Sequence, residues 1–187
     1  MSTRPKNDFG ALDLTAGLGS DQYLTFILAG EEYGVNILRV QEIKGWTGVT
    51  EIPNTPDYVQ GVVNLRGTIV PIVDLRRCFG IKTVDYDKTT VVIMLKVTAQ
   101  RGERTMGFVV DAVSDVYDVS AEQRRPAPDF GSAAQAGFVT GLATVAEKMV
   151  ILLDIDRLVE TRMGPQDQKP GDIAQDVPVL EVPKGNI

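Results

Sequence analysis

Residues 64–75 read Asn64-Leu65-Arg66-Gly67-Thr68-Ile69-Val70-Pro71-Ile72-Val73-Asp74-Leu75, and this stretch decides the fold class. A polar motif joins two apolar, largely β-branched segments, which is the pattern of two strands connected by a tight hairpin turn. Gly67 is expected to supply the positive φ that such a turn needs. Arg66 would then lie at the tip of the hairpin. Two roles are open for this arginine. It is either an ordinary solvated surface residue, which the spacing alone favours, or it pairs with Glu42 and presents its guanidinium to another protein.

Similar short strands are predicted on both sides of this hairpin. They cover residues 23–28, 61–65, 68–73, 89–98, 105–110, 138–145 and 148–153. Helical segments are expected to be few and short: a turn capped by Thr55 with Pro56 at its first position, a helix over 75–79 capped by Asp74, a capping box of Ser120 and Gln123, and a helix near 155–159. Closely spaced strands with so few helices predict an all-β barrel or sandwich.

A weak internal repeat predicts two related halves. Residues 34–43 align with residues 107–116 at an offset of 73, residues 61–63 align with 137–139 at 76, and residues 69–75 align with 149–155 at 80. A period this long is not that of a solenoid. We expect two similar β-subdomains in one folded region, 22–162, the first mostly within 30–90 and the second mostly within 91–160. Residues 1–21 and 163–187 are predicted to be flexible tails.

Composition disfavours several functional classes. The chain has 187 residues and a net charge of -6, so a phosphate backbone is a poor partner. It has no histidine, the commonest general base and zinc ligand, and its one cysteine, Cys78, fits a buried position in a reducing compartment. The apolar runs are too short to cross a bilayer, so we expect a cytoplasmic protein without membrane insertion.

Five aspartates are the remaining candidates for acid–base or metal chemistry, and they are Asp111, Asp115, Asp118, Asp154 and Asp156. They lack the spacing of a calcium loop, and the chain has no glycine-rich phosphate loop, so no metal or cofactor is expected. Asp74 and Asp154 are equivalent in the repeat, which favours helix capping. A carboxylate-dependent hydrolase on a β-barrel stays open as an alternative, and it would need two carboxylates that converge in a cleft.

The order of five motifs resembles the CheW family of chemotaxis coupling proteins. The motifs are Glu32-Tyr33-Gly34-Val35, Val40-Gln41-Glu42-Ile43, the stretch 64–75, Val109-Val110-Asp111-Ala112-Val113 and Arg125-Pro126-Ala127-Pro128. The stretch 64–75 is the specific one, and the resemblance covers roughly residues 20–160. It implies two SH3-like β-barrels packed around a shared core. It also implies a non-enzymatic adaptor that couples methyl-accepting chemotaxis receptors to the histidine kinase CheA in signalling arrays.

The resemblance further implies two binding surfaces. The tip of a receptor's helical hairpin would bind in a groove between the barrels, at Ile37, Val40, Glu42, Gly61, Arg66, Val110 and Val113. The regulatory domain of CheA would contact an edge of the first barrel at Trp46, Thr47, Val49 and Thr50, although Trp46 is as well suited to a core as to an interface.

Two alternatives share the same barrels: the kinase's own regulatory domain, and CheV-type adaptors that add a receiver domain. The length of the chain disfavours both as complete proteins. The free protein is expected to be a monomer that is recruited to receptor arrays at the inner face of the membrane.

Overall fold

The computed structural model describes residues 20–82, 85–100, 102–128 and 137–164. The predicted tails therefore lie almost entirely outside the described residues. Within these ranges the chain forms eleven strands and two α-helices. They are β1 (Ser20–Leu28), β2 (Glu31–Asn36), β3 (Val40–Gly45), β4 (Val59–Leu65), β5 (Thr68–Asp74), α1 (Leu75–Cys78), β6 (Val91–Ala99), β7 (Gly102–Val110), β8 (Ala112–Ser120), β9 (Arg124–Arg125), β10 (Val139–Val145), β11 (Lys148–Leu153) and α2 (Ile155–Met163).

The strands form two sheets with matching order. Sheet 1 is β3-β6-β7-β5-β4, and sheet 2 is β8-β1-β2-β11-β10-β9. The pairs β5–β7 and β2–β11 are parallel, and all other pairs in these two sheets are antiparallel. The all-β prediction with two subdomains and few short helices is therefore confirmed.

The two sheets exchange hairpins. Sheet 1 contains β3, β4 and β5 from the first repeat but takes β6 and β7 from the second, whereas sheet 2 takes β1 and β2 from the first. Residue 90 thus separates the two sequence repeats, yet each sheet takes strands from both sides of it. Because each hairpin is bonded into the other half's sheet, the two subdomains are structurally interdependent.

The hairpin turn requires a positive φ at two residues, Arg66 and Gly67, and not at Gly67 alone as expected. Both residues have positive φ, 51° and 86°, so the arginine as well as the glycine adopts the left-handed conformation. Two successive positive φ values are the mark of a type I′ turn, whose twist matches that of the flanking strands. The equivalent turn of sheet 2 uses Ala146 and Glu147, with φ of 49° and 64°.

The structure corrects one part of the repeat alignment. β4 and β10 each have a bulge, between Val59 and Gly61 in the first and between Val139 and Gly141 in the second. Gly61 is therefore the counterpart of Gly141, at the same offset of 80 that relates β5 to β11. The alignment of residues 61–63 with 137–139 was wrong by four residues, because the sequence similarity there is only a glycine followed by apolar residues.

Three hydrophobic clusters hold the fold together. The largest is shared between the sheets and combines side chains of β1, β2, β5, β6, β7 and α2, with Phe26 and Phe108 almost fully buried at its centre. A smaller cluster lies within each sheet, around Leu152 in sheet 2 and around Ile72 in sheet 1. Burial of apolar area on this scale is the main driving force for folding. The shared core was implied by the resemblance and is present.

Helix capping follows the sequence patterns. The Asp74 carboxylate accepts a hydrogen bond from the Arg76 amide at the start of α1, and Asp154 does the same from the Arg157 amide at the start of α2. Ser120 and Gln123 form the predicted capping box on a short 3-10 turn. The residues around Pro56 form a turn rather than a helix, closed by the Val59 amide donating to the Pro56 carbonyl.

Candidate functional site

Arg66 lies at the exposed tip of the β4–β5 hairpin. Its side chain is 82% exposed, and its Nη2 is 3.5 Å from Oε2 of Glu42 on β3. The turn beneath it is fixed because the Gly67 amide donates to Asn64 Oδ1 at 2.7 Å. The predicted Arg66–Glu42 ion pair is therefore present. An exposed pair of this kind adds little stability, so most of the guanidinium's hydrogen-bonding capacity is available to another molecule.

Val40 and Val113 occupy equivalent positions on the terminal strands of the two sheets. Val40 is on β3, paired with Leu95, and Val113 is on β8, paired with Phe26. Both are partly buried against the core that the sheets share. This places the two valines along the boundary between the subdomains, where the predicted groove would lie.

Two of the predicted receptor-facing residues are core residues instead. Ile37 is 5% exposed and Val110 is fully buried, both within the shared core. A partner could reach them only if the core were unpacked. The assignment of these two side chains to a contact surface is therefore wrong, because apolar patterning identifies burial but not which face a side chain occupies.

Gly61 is buried under a loop rather than facing a partner. Its φ is +144°, and a Cβ built on it would lie 2.2 Å from the carbonyl oxygen of Thr50. Thr50 and Val62 exchange two backbone hydrogen bonds of 2.9 Å across this point. The glycine is needed so that the backbone of the loop can lie directly on β4.

Leu38 is a surface residue that the sequence patterns did not identify. It is 74% exposed, on a 3-10 turn, Ile37–Arg39, between β2 and β3. The turn is capped by Asn36, whose Oδ1 accepts from the Leu38 amide, and Arg39 binds Asp156 of α2 at 2.5 Å. The turn that presents Leu38 is therefore attached to α2.

The predicted kinase-facing residues form the loop that follows β3. The Trp46 amide donates to the Thr90 carbonyl at 3.1 Å, and Thr50 pairs with Val62 at the edge of β4. Thr47 and Thr50 are exposed, whereas Trp46 and Val49 are partly buried. The loop is thus attached to sheet 1 at both ends and presents side chains outward between them.

A pocket of about 140 Å³ opens beneath this loop. Its rim includes Trp46, Thr47 and Val49, and its apolar floor is formed by Ile72 and Met94 of sheet 1, both nearly fully buried. The floor is part of the cluster inside sheet 1. The loop therefore borders a small recess with an apolar floor and a partly polar rim.

A buried polar cluster lies behind the same loop. Arg76 is 2% exposed, its Nη1 is 3.1 Å from Asp111 Oδ1, and its Nε is 3.7 Å from Asp74 Oδ1. The Tyr86 hydroxyl donates to Asp74 Oδ2 at 2.7 Å. Burial, followed by the hydrogen bond to Asp74, raises the pKa of the Tyr86 phenol far above its ordinary value.

Four of the aspartates have structural partners. Asp74 and Asp154 cap helices, Asp111 pairs with Arg76, and Asp156 binds Arg39 and the Thr98 amide. In the part of the chain that the structure describes, no group of three acidic or cysteine side chains is arranged to hold a metal. Over the same residues, no helix is both long and apolar enough to cross a membrane. The hydrolase alternative gains no support from this arrangement.

Known proteins match this chain over nearly all of the described region. The family model for the CheW-like domain matches residues 22–163. The chemotaxis protein CheW of Klebsiella aerogenes is 51% identical over 140 residues, which are 75% of this chain and 82% of that protein. The chemotaxis protein CheW of Rhizobium meliloti is 38% identical over 138 residues, covering 74% and 86%.

A solved structure shares the fold. The scaffolding protein TtCheW from Thermoanaerobacter tengcongensis superposes with a TM-score of 0.68 at 32% identity, covering 75% of this chain and 93% of that one. Its two β-subdomains correspond to the arrangement described here.

Proposed function

The chain belongs to the CheW-like domain family, and from this membership we propose that it is a chemotaxis adaptor that couples methyl-accepting receptors to the histidine kinase CheA. The relative from Klebsiella aerogenes is named a chemotaxis protein, and the solved structure is that of a scaffolding protein. The finer assignment, to receptors on one surface and to the kinase on another, is our proposal. The protein would perform no reaction of its own.

The observation that carries the receptor assignment is the geometry of Arg66. A cation at the tip of a rigid hairpin, 82% exposed and paired only loosely with Glu42 at 3.5 Å, can exchange that partner for a carboxylate or carbonyl on another protein. The half-buried Val40 and Val113 supply apolar surface where the terminal strands of both sheets pack against the shared core. A helical hairpin that offers an apolar ridge and acceptors at its tip fits this combination.

The kinase would bind at the loop 46–50. Its outward side chains Thr47 and Thr50, with the partly buried Trp46 and Val49, combine polar and apolar contacts over a small recess. Aromatic side chains in such positions are frequent energetic anchors of interfaces. The regulatory domain of CheA is the proposed occupant.

The remaining features of the proposal concern location and assembly. The protein would act in the cytoplasm, be recruited to receptor arrays at the inner face of the membrane, and be monomeric when free. It would need neither a metal nor a cofactor. The excess of acidic over basic residues favours protein partners over nucleic acid.

Co-sedimentation with receptor-containing membranes tests the proposal. The purified chain is expected to pellet with the membranes and, when CheA is added, to raise kinase activity. Arg66→Asp should fold normally but abolish kinase activation, because it replaces a presented cation by an anion beside Glu42. Arg104→Asp is the matched control, since it makes the same charge change at an exposed position of β7. Normal activation by folded Arg66→Asp would refute the receptor assignment.

A further inference from the structure

The ring of Trp46 rests on the ring of Tyr86. Their centroids are 4.5 Å apart at an interplanar angle of 49°. Tilted aromatic pairs at this distance gain stabilisation beyond that of buried area. The neighbouring Thr47 is exposed, so the indole is the side chain by which this end of the loop is held to the protein.

Tyr86 is itself held by two further contacts. Its hydroxyl donates to Asp74 Oδ2 at 2.7 Å, and the guanidinium carbon of Arg76 lies 5.3 Å from the centre of its ring. Asp74 is fully buried and caps α1, so it cannot move without disturbing the helix. The tyrosine is therefore bound to two buried residues, Asp74 at the end of β5 and Arg76 in α1.

The buried guanidinium of Arg76 explains why an aromatic ring is needed there. Two of its nitrogens, Nε and Nη2, are buried without a hydrogen-bond partner. Leaving such donors unpaired is costly, and the negative face of an aromatic ring is a recognised substitute. The ring of Tyr86 thus interacts with the positive charge of Arg76 and also supports the ring of Trp46.

The backbone next to Tyr86 is also fixed. The Asp87 carboxylate accepts hydrogen bonds from the Thr89 hydroxyl and amide, which lower the pKa of Asp87, and the Thr90 hydroxyl accepts from the Asp87 amide. The Thr90 carbonyl in turn accepts from the Trp46 amide. A well-formed turn therefore connects the tyrosine to the backbone of the residue whose ring it supports.

We infer that Tyr86 is a positioning residue for the kinase-facing surface: it transmits the rigidity of the buried Asp74–Arg76 pair to Trp46 and so presets the loop 46–50 for binding. The inference rests on the proposed function, because it gives the Trp46 loop to the kinase. The positioning role depends on the Tyr86 hydroxyl. A phenylalanine would fill the same space and keep the ring contact but would lose the bond to Asp74 that fixes the ring.

Trp46 is the only tryptophan of the chain, so its fluorescence reports on this contact directly. In Tyr86→Phe we expect the emission spectrum and the anisotropy of Trp46 to change while the circular dichroism of the fold is kept. We expect the Kd for the purified CheA regulatory domain to rise roughly 3- to 10-fold. Pelleting with receptor membranes in the absence of CheA should be unchanged.

The matched control is Tyr33→Phe, which removes a hydroxyl from a ring that contacts Phe26 and Phe79 at the edge of the shared core. It should leave the Trp46 emission and kinase binding unchanged. Trp46→Ala is the reference for the surface itself, and it should weaken kinase binding by more than Tyr86→Phe does.

The outcomes separate the inference from the function on which it rests. If Trp46→Ala leaves kinase binding unchanged, the kinase-facing assignment of the loop is wrong and the inference falls with it. If Trp46→Ala weakens binding while Tyr86→Phe changes neither emission nor binding, the assignment stands and the positioning role alone is overturned.

Discussion

Replacement of Gly61 by alanine should destabilise the protein for two separable reasons. The residue has φ of +144°, which is almost restricted to glycine, and an added Cβ would lie 2.2 Å from the Thr50 carbonyl oxygen. Backbone strain of this kind costs about 1–3 kcal/mol. Displacing Thr50 would also break its two hydrogen bonds with Val62, each worth about 0.5 kcal/mol at an exposed edge. We expect a loss of about 2–4 kcal/mol.

Two other glycines act as graded controls. Gly67 has φ of +86° with open space around its Cβ position, so Gly67→Ala should cost only the strain, about 1–2 kcal/mol. Gly45 has neither a positive φ nor an atom within 4 Å, so Gly45→Ala should leave stability unchanged or raise it by up to about 1 kcal/mol. Gly61→Ala should therefore cost more than Gly67→Ala, because only at Gly61 does the added Cβ also meet the backbone of the loop.

Urea denaturation followed by circular dichroism measures the series. With a slope of about 2 kcal/mol per molar urea, a loss of 3 kcal/mol moves the midpoint by about 1.5 M. Kinase binding should fall in Gly61→Ala because the loop 46–50 is displaced, while receptor binding per folded molecule is kept. If Gly61→Ala is no less stable than Gly67→Ala, the loop does not depend on the glycine and the reasoning is refuted.

Two further predictions concern stability. The double substitution Ala146→Asn with Glu147→Gly should raise the free energy of unfolding by about 1–2 kcal/mol, because asparagine and glycine suit the two positive φ positions of the β10–β11 turn. A loss of stability in a thermal melt would contradict the turn assignment. Arg76→Met should lower the free energy of unfolding by about 3–5 kcal/mol, because it leaves Asp111 and its neighbours without their buried cation. Arg77→Met, at a half-exposed position, should lower it by under about 1 kcal/mol. Equal losses of stability in urea denaturation would show that burial of the Arg76 ion pair is not decisive.

The sequence predicted the strands that bury a continuous apolar face. β5, β6 and β11 consist largely of Val, Ile, Leu and Met, and they were identified from that composition alone. β2, β3 and β8 were not predicted as strands, because they carry charged residues in and between apolar positions. Glu32 in β2 is an example: it is buried, with Thr25 donating to it and Lys148 nearby, a pairing that only the folded chain creates.

The candidate site could be predicted only in part. Arg66 and Glu42 were correctly paired, since the hairpin turn and the motif fix their positions. The exposure of neighbouring apolar residues was not predictable: Ile37 is buried and Leu38 is exposed, although they are adjacent and similar in character. On a 3-10 turn successive side chains point about a third of a turn apart, so which one meets the core depends on how the turn is docked.

The hairpin exchange between the sheets has a consequence for biosynthesis and ancestry. Sheet 1 begins with β3 near residue 40 but is complete only with β7, which ends at Val110, so more than half of the polypeptide must leave the ribosome before this sheet can close. A single repeat on its own could not build either sheet, whereas two identical copies could complete each other by trading hairpins. The two matching sheets of this single chain are thus what gene duplication and fusion of a hairpin-swapped homodimer would produce.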